Sequence, residues 1–136
     1  MFKLSIVTPE KTVYDADIRS LTAPGSGGYL GILSHHAPII TALKPGKIEF
    51  RDAHDKLHIM AVTVGFLEVS NNKATILADA IEEADQIDIE RAREAYRREK
   101  TRIVSAGGGE TEIDLPSCRA AMERAANRIK VYEETH

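Results

Sequence analysis

The stretch that decides the fold is Leu77-Ala-Asp-Ala-Ile-Glu-Glu-Ala-Asp-Gln-Ile-Asp-Ile-Glu-Arg-Ala92. Before it, apolar residues alternate with polar ones or come in short runs that Gly, Pro and Asn interrupt. After it, charged and apolar residues recur at helical spacing. A change of hydrophobic period from two to about 3.6 indicates a change from strands to helices. We therefore predict a sheet domain over residues 1–84 and a helical domain over residues 85–136.

The first part of the chain predicts about eight to ten short strands at turn spacing, the pattern of an all-β sandwich or flattened barrel, and of these we predict an antiparallel β-sandwich. The segments from Thr12 to Ala16 and from Ile18 to Ala23 are predicted as two separate strands. Gly65 suggests a bulge, and Asn71-Asn72 predicts a tight turn between two strands.

The second part predicts an antiparallel two-helix hairpin, so the fold class is α+β. Asp88 is a suitable N-cap for a first helix ending near Ser105. The residues Gly107 to Gly109 predict a linker, and Asp114 to Ser117 the start of a second helix. The predicted apolar sides are Ile89, Ala92, Ala95, Tyr96 and Ile103 on the first helix, and Met122, Ala125, Ala126, Ile129 and Tyr132 on the second. The predicted ion pairs are Asp88–Arg91, Glu90–Arg93, Glu94–Arg98 and Glu99–Arg102.

Composition excludes several classes of protein. Residues 1–80 carry 8 Lys and Arg and 8 Asp and Glu, and residues 81–136 carry 10 and 13, so neither part predicts a nucleic-acid surface. Cys118 is the single cysteine, which favours a reducing compartment. The N-terminus has no signal-peptide pattern, and no apolar stretch is long enough to span a membrane.

The sequence offers little for catalysis or metal binding. Ser34-His35-His36 places a hydroxyl beside two imidazoles, but neighbours on an extended chain point to opposite faces. A metal site would need His54 and His58 to converge with that segment, and both histidines are expected to be solvated. We predict no catalytic residue and no metal site.

Arginines on both predicted helices suggest a candidate anion site. Arg91 and Arg98 share one face of the first helix, and Arg124 and Arg128, four residues apart, share one face of the second. If the hairpin folds back, the four guanidinium groups could surround an anion near a helix N-terminus.

Two carboxylates complete this candidate site. Glu82 and Asp88 could accept hydrogen bonds from a purine amino group or a ribose hydroxyl. The alternative is that the arginines pair with Glu90, Glu94 and Glu123 on solvated helix faces.

Four segments carry a resemblance to a known family. They are Tyr29-Leu-Gly-Ile-Leu-Ser-His-His-Ala-Pro-Ile-Ile-Thr-Ala-Leu-Lys-Pro-Gly46, Gly65-Phe-Leu-Glu-Val69, Ile76-Leu-Ala-Asp79 and Ile87-Asp-Ile-Glu-Arg-Ala92. In this order they resemble the epsilon subunit of rotary F-type ATP synthase, which is called delta in mitochondria. The resemblance covers nearly the whole chain and implies the same fold, a β-sandwich followed by a two-helix hairpin.

The resemblance implies a non-catalytic subunit of the central rotor stalk. The sandwich would bind the gamma subunit and rest on the c-ring through the segment holding Tyr29, Gly31 and His36, which helps to couple proton or sodium flow to ATP synthesis. Tyr29 stands where many members have an acidic residue. The subunit would lie at the cytoplasmic face of the cell membrane, attached only through the complex.

The hairpin is implied to be the regulatory part. Packed on the sandwich it would permit turnover, and extended toward the alpha and beta subunits it would block ATP hydrolysis. ATP is the implied regulatory ligand of bacterial members, and no cofactor is required. The implied ATP-site residues are Ile87, Asp88, Arg91 and Ala92 of the signature, then Glu82 and Arg98, with a looser match at Arg124 and Arg128. The alternative function is a free-standing ATP-responsive binding module.

Overall fold

The computed structural model describes residues 1–106 and 115–136 of the 136-residue chain. The chain divides into two compact units, Met1–Glu83 and Ala84–His136. The predicted glycine linker at residues 107–109 and the predicted helix start at Asp114 lie outside the described residues.

The first unit is built from nine strands. Their bounds are β1 Phe2–Val7, β2 Thr12–Gly25, β3 Gly28–Ile32, β4 Ile39–Leu43, β5 Gly46–Asp52, β6 Leu57–Val62, β7 Gly65–Ser70, β8 Lys73–Ala78 and β9 Ile81–Glu83. They pair in the order β1-β8-β7-β4-β2-β5-β6-β9, and β3 pairs with β2. Because β1 also pairs with β2, the sheet closes on itself and encloses one core. The predicted β-sandwich is confirmed.

Two details of the predicted sandwich are wrong. The two strands expected before residue 24 are one strand, β2, which pairs with β1 along its first half and with β3 and β5 along its second. A register shift between Ile18 and Ser20 lets this strand bend without ending. The sheet is also not purely antiparallel, since β1 and β8 run parallel, with Leu4 opposite Ala74 and Ile6 opposite Ile76.

Alternation along the strands builds the core. On β1, Phe2, Leu4 and Ile6 are buried, while Lys3 between them is exposed. The largest fully buried side chains of this unit are Leu4, Ile6, Ile18, Leu21, Ile32, Ile48, Phe50, Met60, Val62, Leu67 and Ile76. Burial of such side chains is worth about 1.5–3 kcal/mol each and is the main stabilising term.

Of the two predictions for the β7–β8 hairpin, the tight turn is correct and the glycine bulge is wrong. Asn71 and Asn72 adopt φ values of 50° and 58°, so the predicted tight turn is confirmed. Gly65 is not a bulge, because it pairs in regular register with Leu43 and Ala78. Its role is close approach: a Cβ at this position would collide with the carbonyl oxygen of Leu77.

The second unit contains a short 3-10 helix, Ala84–Gln86, followed by α1, Ile89–Ala106, and α2, Leu115–Thr135. The predicted N-cap is confirmed: the Arg91 backbone N–H donates to Asp88 Oδ1 at 3.1 Å, and the Ala92 N–H donates to the Asp88 carbonyl oxygen at 3.0 Å. The two helices pack on each other, and the short helix packs on α2.

The fully buried apolar side chains of the two helices are small. Ala92 of α1 and Ala125 and Val131 of α2 are buried. The other residues of the predicted apolar sides are half-buried: Ile89, Ala95, Tyr96, Ile103, Met122, Ala126, Ile129 and Tyr132. Cys118 and Asn127 are also buried, although neither belongs to the predicted apolar side of α2.

The predicted helix ion pairs form in part. Glu90–Arg93 and Glu99–Arg102 are present, with N–O distances of 3.1 and 3.4 Å. Asp88 instead caps backbone amides, and Glu94–Arg98 is not an ion pair among the described residues. Glu99 is also not on a solvated face, because its side chain is only 7% exposed.

Candidate partner and nucleotide-binding surfaces

A row of apolar side chains crosses the outer face of the sandwich. Phe66 on β7 stands between Ala42 on β4 and Leu77 on β8, and Val7 on β1 continues the row beyond Leu77. Phe66 is 58% exposed and Leu77 is 52% exposed. With Val64 beside them, these residues line an open apolar groove. We call this row, Val7, Ala42, Val64, Phe66 and Leu77, the outer apolar groove.

This groove is not among the features predicted above, although the sequence contains a signal for it. Phe66-Leu67 and Ile76-Leu77 are consecutive apolar pairs within strands, and consecutive strand residues point to opposite faces. Leu67 and Ile76 are buried, so their neighbours must be apolar on the outside. Contiguous exposed apolar surface of this kind is typical of a protein-interaction site.

The predicted ring-facing segment lies on and after β3. Tyr29 and Gly31 alternate to one face of this strand, and Tyr29 is 56% exposed. The Tyr29 Oη accepts a hydrogen bond from the Lys47 backbone N–H at 3.2 Å. The phenol therefore holds β3 near the start of β5, while much of its ring stays exposed.

His36, the third predicted interface residue, is held in the turn after β3. Its backbone N–H donates to the Leu33 carbonyl oxygen at 3.2 Å, and its Nδ1 lies 2.7 Å from the Ala37 carbonyl oxygen. His35 adopts a φ of 63° and donates its N–H to Asn72 Oδ1. Within the described chain no hydrogen bond joins the Ser34 hydroxyl to either imidazole, so this segment does not form a nucleophile–base pair.

The signature residues of the candidate ATP site divide into buried and exposed ones. Ile87 and Ala92 are buried. Asp88 and Arg91 are exposed and share the capping turn at the start of α1. The Arg91 guanidinium makes no ion pair with any described residue, so it is available to an anion.

The remaining candidate residues are spread over both units. Arg98 lies about two turns along α1, with its Nε 3.6 Å from Glu99 Oε1. Arg124 is exposed on α2, whereas Arg128 is half-buried and contacts other parts of the chain. Glu82 belongs to the sandwich, where it pairs with Ala61 of β6. The capping hydrogen bond brings together Asp88 and Arg91 at the start of α1.

A polar cluster around His58 lies at the edge of the sandwich, next to β9. The sequence-based predictions above do not include it. His58 Nε2 lies 2.9 Å from Asp52 Oδ2, and His58 Nδ1 lies 4.0 Å from Glu83 Oε1. The imidazole stacks on Phe50, with ring centroids 4.6 Å apart and planes 4° from parallel. His58 is therefore not solvated as predicted, since its side chain is 17% exposed. The spacing Asp52…His58 across a hairpin turn is the signal in the sequence.

Two pKa values are shifted at this cluster, that of Asp52 and that of the neighbouring Tyr14 on β2. The hydrogen bond from His58 lowers the pKa of Asp52 to about 2, and the Lys56 and His54 backbone N–H groups at Asp52 Oδ1 act in the same direction. Burial raises the pKa of the Tyr14 phenol, and the nearby Asp52 charge adds to that rise. Asp52 is therefore an ionised acceptor throughout the neutral range.

Residues 1–106 and 115–136 contain neither a metal-binding cluster nor a membrane-spanning helix. No three His, Cys, Asp or Glu side chains there are grouped so that they could hold a metal ion. Neither described α-helix combines the length and apolar character that crossing a membrane requires.

Comparison with protein families gives two matches that together span nearly the whole chain. Residues 1–84 match the ATP synthase delta/epsilon chain β-sandwich domain, and residues 85–133 match the ATP synthase delta/epsilon chain long α-helix domain. The architecture therefore defines a class of two-domain ATP synthase subunits. The chain belongs to the ATP synthase delta/epsilon chain family.

Curated relatives within this family are similar along nearly their full length. The ATP synthase epsilon chain of Desulforamulus reducens is 46% identical over 131 residues, which cover 96% of each chain. That of Protochlamydia amoebophila is 43% identical over 137 residues, covering 100% of this chain and 90% of the relative. The predicted resemblance is confirmed, and the curated relatives described here are epsilon chains.

Solved structures share the fold at low sequence identity. A chain in the mitochondrial ATP synthase of Euglena gracilis, solved as OSCP/F1/c-ring, aligns with a TM-score of 0.78 and 17% identity, over 98% of this chain and 80% of that one. A chain in the central stalk/c-ring structure of Tetrahymena thermophila ATP synthase aligns with a TM-score of 0.63 and 14% identity, over 98% and 94%.

Proposed function

We propose that this chain is a non-catalytic subunit of the central rotor stalk of an ATP synthase. Its sandwich binds the gamma subunit and rests on the c-ring, and so helps to couple ion flow to ATP synthesis. Membership of the delta/epsilon family supports the complex, and the outer apolar groove is the observation that carries the binding role. The subunit is attached to the cytoplasmic face of the membrane through its partners, and the other subunits determine whether protons or sodium ions are coupled.

The groove suits a protein partner that stays bound. Phe66 and Leu77 form the centre of a four-strand apolar row, and each exposes more than half of its side chain. Large exposed apolar side chains in one patch are costly in water, and a partner that covers them recovers about 25 cal/mol per Å² of apolar area. We assign this face to the gamma subunit, and the exposed face of Tyr29 and Gly31 on β3 to the c-ring.

Copurification with the gamma subunit of the same ATP synthase tests this assignment. We expect the wild-type chain to form a stable complex and Phe66→Asp to weaken it about tenfold or more, because the charge would be buried at the centre of the interface. Leu57→Asp is the matched control, since Leu57 is an exposed apolar residue of β6 outside the groove. A wild-type chain that recovers no gamma subunit would favour the free-standing ATP-responsive module instead.

We further propose that the helical unit regulates ATP hydrolysis and responds to ATP. The apolar side chains that its two helices bury fully are small, Ala92 and Ala125 among them, and the larger ones are only half-buried. Elements with little buried apolar surface have low local stability, and the elements that move in regulation are of this kind. Extension toward the alpha and beta subunits would inhibit hydrolysis, and ATP held by Asp88, Arg91 and Arg98 would oppose that extension.

A further inference from the structure

Strand β9 is the last element of the sandwich, and the helical unit begins at the residue after it. Its two ends are held differently. At the first end, the Thr63 backbone N–H donates to the Ala80 carbonyl oxygen at 3.2 Å, and the Ala80 N–H donates to Thr63 Oγ1 at 3.2 Å. At the other end, Glu83 pairs with Met60 and directs its carboxylate to His58.

The tautomer of His58 follows from its partners. Asp52 is ionised and can only accept, so the proton of the neutral imidazole lies on Nε2, which faces Asp52 at 2.9 Å. The other nitrogen, Nδ1, then presents a lone pair toward Glu83 Oε1 at 4.0 Å. A nitrogen lone pair and a carboxylate are both acceptors, so this contact does not stabilise the pairing of β9. An added proton on Nδ1 turns the contact into an ion pair.

We propose that protonation of His58 closes a clasp on Glu83 that holds β9 in the sheet. The imidazolium ion then bridges Asp52 of β5 and Glu83 of β9. When it loses its second proton, the Glu83 end of β9 opens more readily. Histidine is the side chain whose ordinary charge change falls between about pH 5 and 8, which sets the pH range in which the clasp is tested.

The surroundings of His58 contain little else that competes for this role. Asp52 faces the ring from β5, Glu83 from β9 and Tyr14 from β2, with the Tyr14 ring centroid 5.9 Å away. In the adjoining turn, His54 and Lys56 contribute backbone N–H groups to Asp52. Asp52 stays ionised and the Tyr14 phenol stays neutral from pH 5.5 to 7.5, so neither group changes its charge across the tested range.

The clasp controls how much chain is available to connect the two units. Opening the pairing of Ile81–Glu83 would release three residues, or about 10 Å of extended chain at about 3.3 Å per residue. A closed clasp keeps this connection short. The clasp lies within the sandwich and does not depend on which partners the chain binds.

Amide hydrogen exchange of the full chain, followed by NMR at pH 7.5 and 5.5, tests the clasp. The measured quantity is the protection factor of the β6–β9 amides, with the pH dependence of intrinsic exchange divided out. We expect protection to rise about threefold toward pH 5.5 in the wild type, the size of effect that a part-exposed ion pair gives. Amides of β7 and β8 should not change.

Glu83→Gln is the decisive variant, because it keeps the side-chain shape, stands 43% exposed and so leaves the fold intact. We expect it to abolish the rise. Glu49→Gln is the matched control, since Glu49 pairs with Ile59 on the same strand pair as His58 but faces the other side of the sheet. A flat wild-type profile, or a rise that persists in Glu83→Gln, would overturn the proposal, and neither result would bear on binding of the gamma subunit.

Discussion

At the scale of single residues, the charged groups of the sandwich act through specific hydrogen bonds. Asp52 receives bonds from the His54 and Lys56 backbone N–H groups on one oxygen and from His58 on the other. These donors favour the ionised carboxylate, so the pKa of Asp52 falls from 3.8 to about 2 in the folded chain. The unfolded chain therefore binds a proton here at a higher pH than the folded chain does.

The pH dependence of stability follows from this difference. The stabilisation from Asp52 is complete above its ordinary pKa and is lost as pH falls through about 2. We expect Asp52→Asn, which keeps the shape but not the charge, to show a shallower loss of unfolding free energy between pH 4 and 2 than the wild type. Urea unfolding at several pH values measures it.

Asp17→Asn provides the comparison for this measurement, because Asp17 is an exposed aspartate of β2 on the same domain. Its profile should match the wild type. Equal slopes for the wild type and Asp52→Asn would show that the hydrogen bonds to Asp52 do not affect the stability of the fold.

At the scale of elements, the hairpin of β7 and β8 depends on one close approach. Gly65 opposes Ala78, and a Cβ on Gly65 would stand 2.9 Å from Ala78 Cα as well as colliding with the Leu77 carbonyl oxygen. Both neighbours are backbone atoms, which cannot rotate away as a flexible side chain could. The two strands must therefore separate to admit any side chain here.

We expect Gly65→Ala to destabilise the sandwich by about 1–3 kcal/mol, the usual cost of overpacking a well-packed site. Gly27→Ala serves as the control, because a Cβ on Gly27 would have no heavy atom within 4 Å. Urea unfolding of both variants measures the difference. A Gly65→Ala chain as stable as Gly27→Ala would mean that β7 and β8 can separate at little cost.

At the scale of the whole molecule, ATP can regulate only if it favours one arrangement of the chain. Bound ligand stabilises its preferred state by RT ln(1 + [L]/Kd). With ATP of millimolar order, a Kd of the same order gives about 0.4 kcal/mol, and a Kd of micromolar order gives about 4 kcal/mol. A nearly complete shift between two states needs about 5.5 kcal/mol, so only the tighter range would make the proposed ATP site an effective switch.

Calorimetric titration with ATP tests the site. We expect Arg91→Ala and Arg98→Ala each to weaken binding about tenfold, because a charge-assisted bond to phosphate is lost. Arg97→Ala is the matched control, as it removes the same charge from an exposed position of α1 between the two. Equal affinity in the wild type and in all three variants would remove this site from the proposed function.

The features that could be predicted from the sequence are those that depend on local chemistry. The change of period between Leu77 and Ala92, the Asn71-Asn72 turn and the Asp88 cap depend on neighbours within about four residues, where patterns are readable. The candidate ATP residues come from a motif, and helical spacing determines the positions of Arg91 and Arg98 on α1 and of Arg124 and Arg128 on α2.

The features that could not be predicted are those that depend on pairing between segments far apart in the chain, and only the tertiary structure shows them. The parallel pairing of β1 with β8, the single bent strand β2 and the outer apolar groove each require strands far apart in the chain to become neighbours. The same holds for Glu83, which reaches His58 only because β9 pairs with β6. Alternation predicts which face a side chain takes, but strand order and register determine which side chains meet across the sheet.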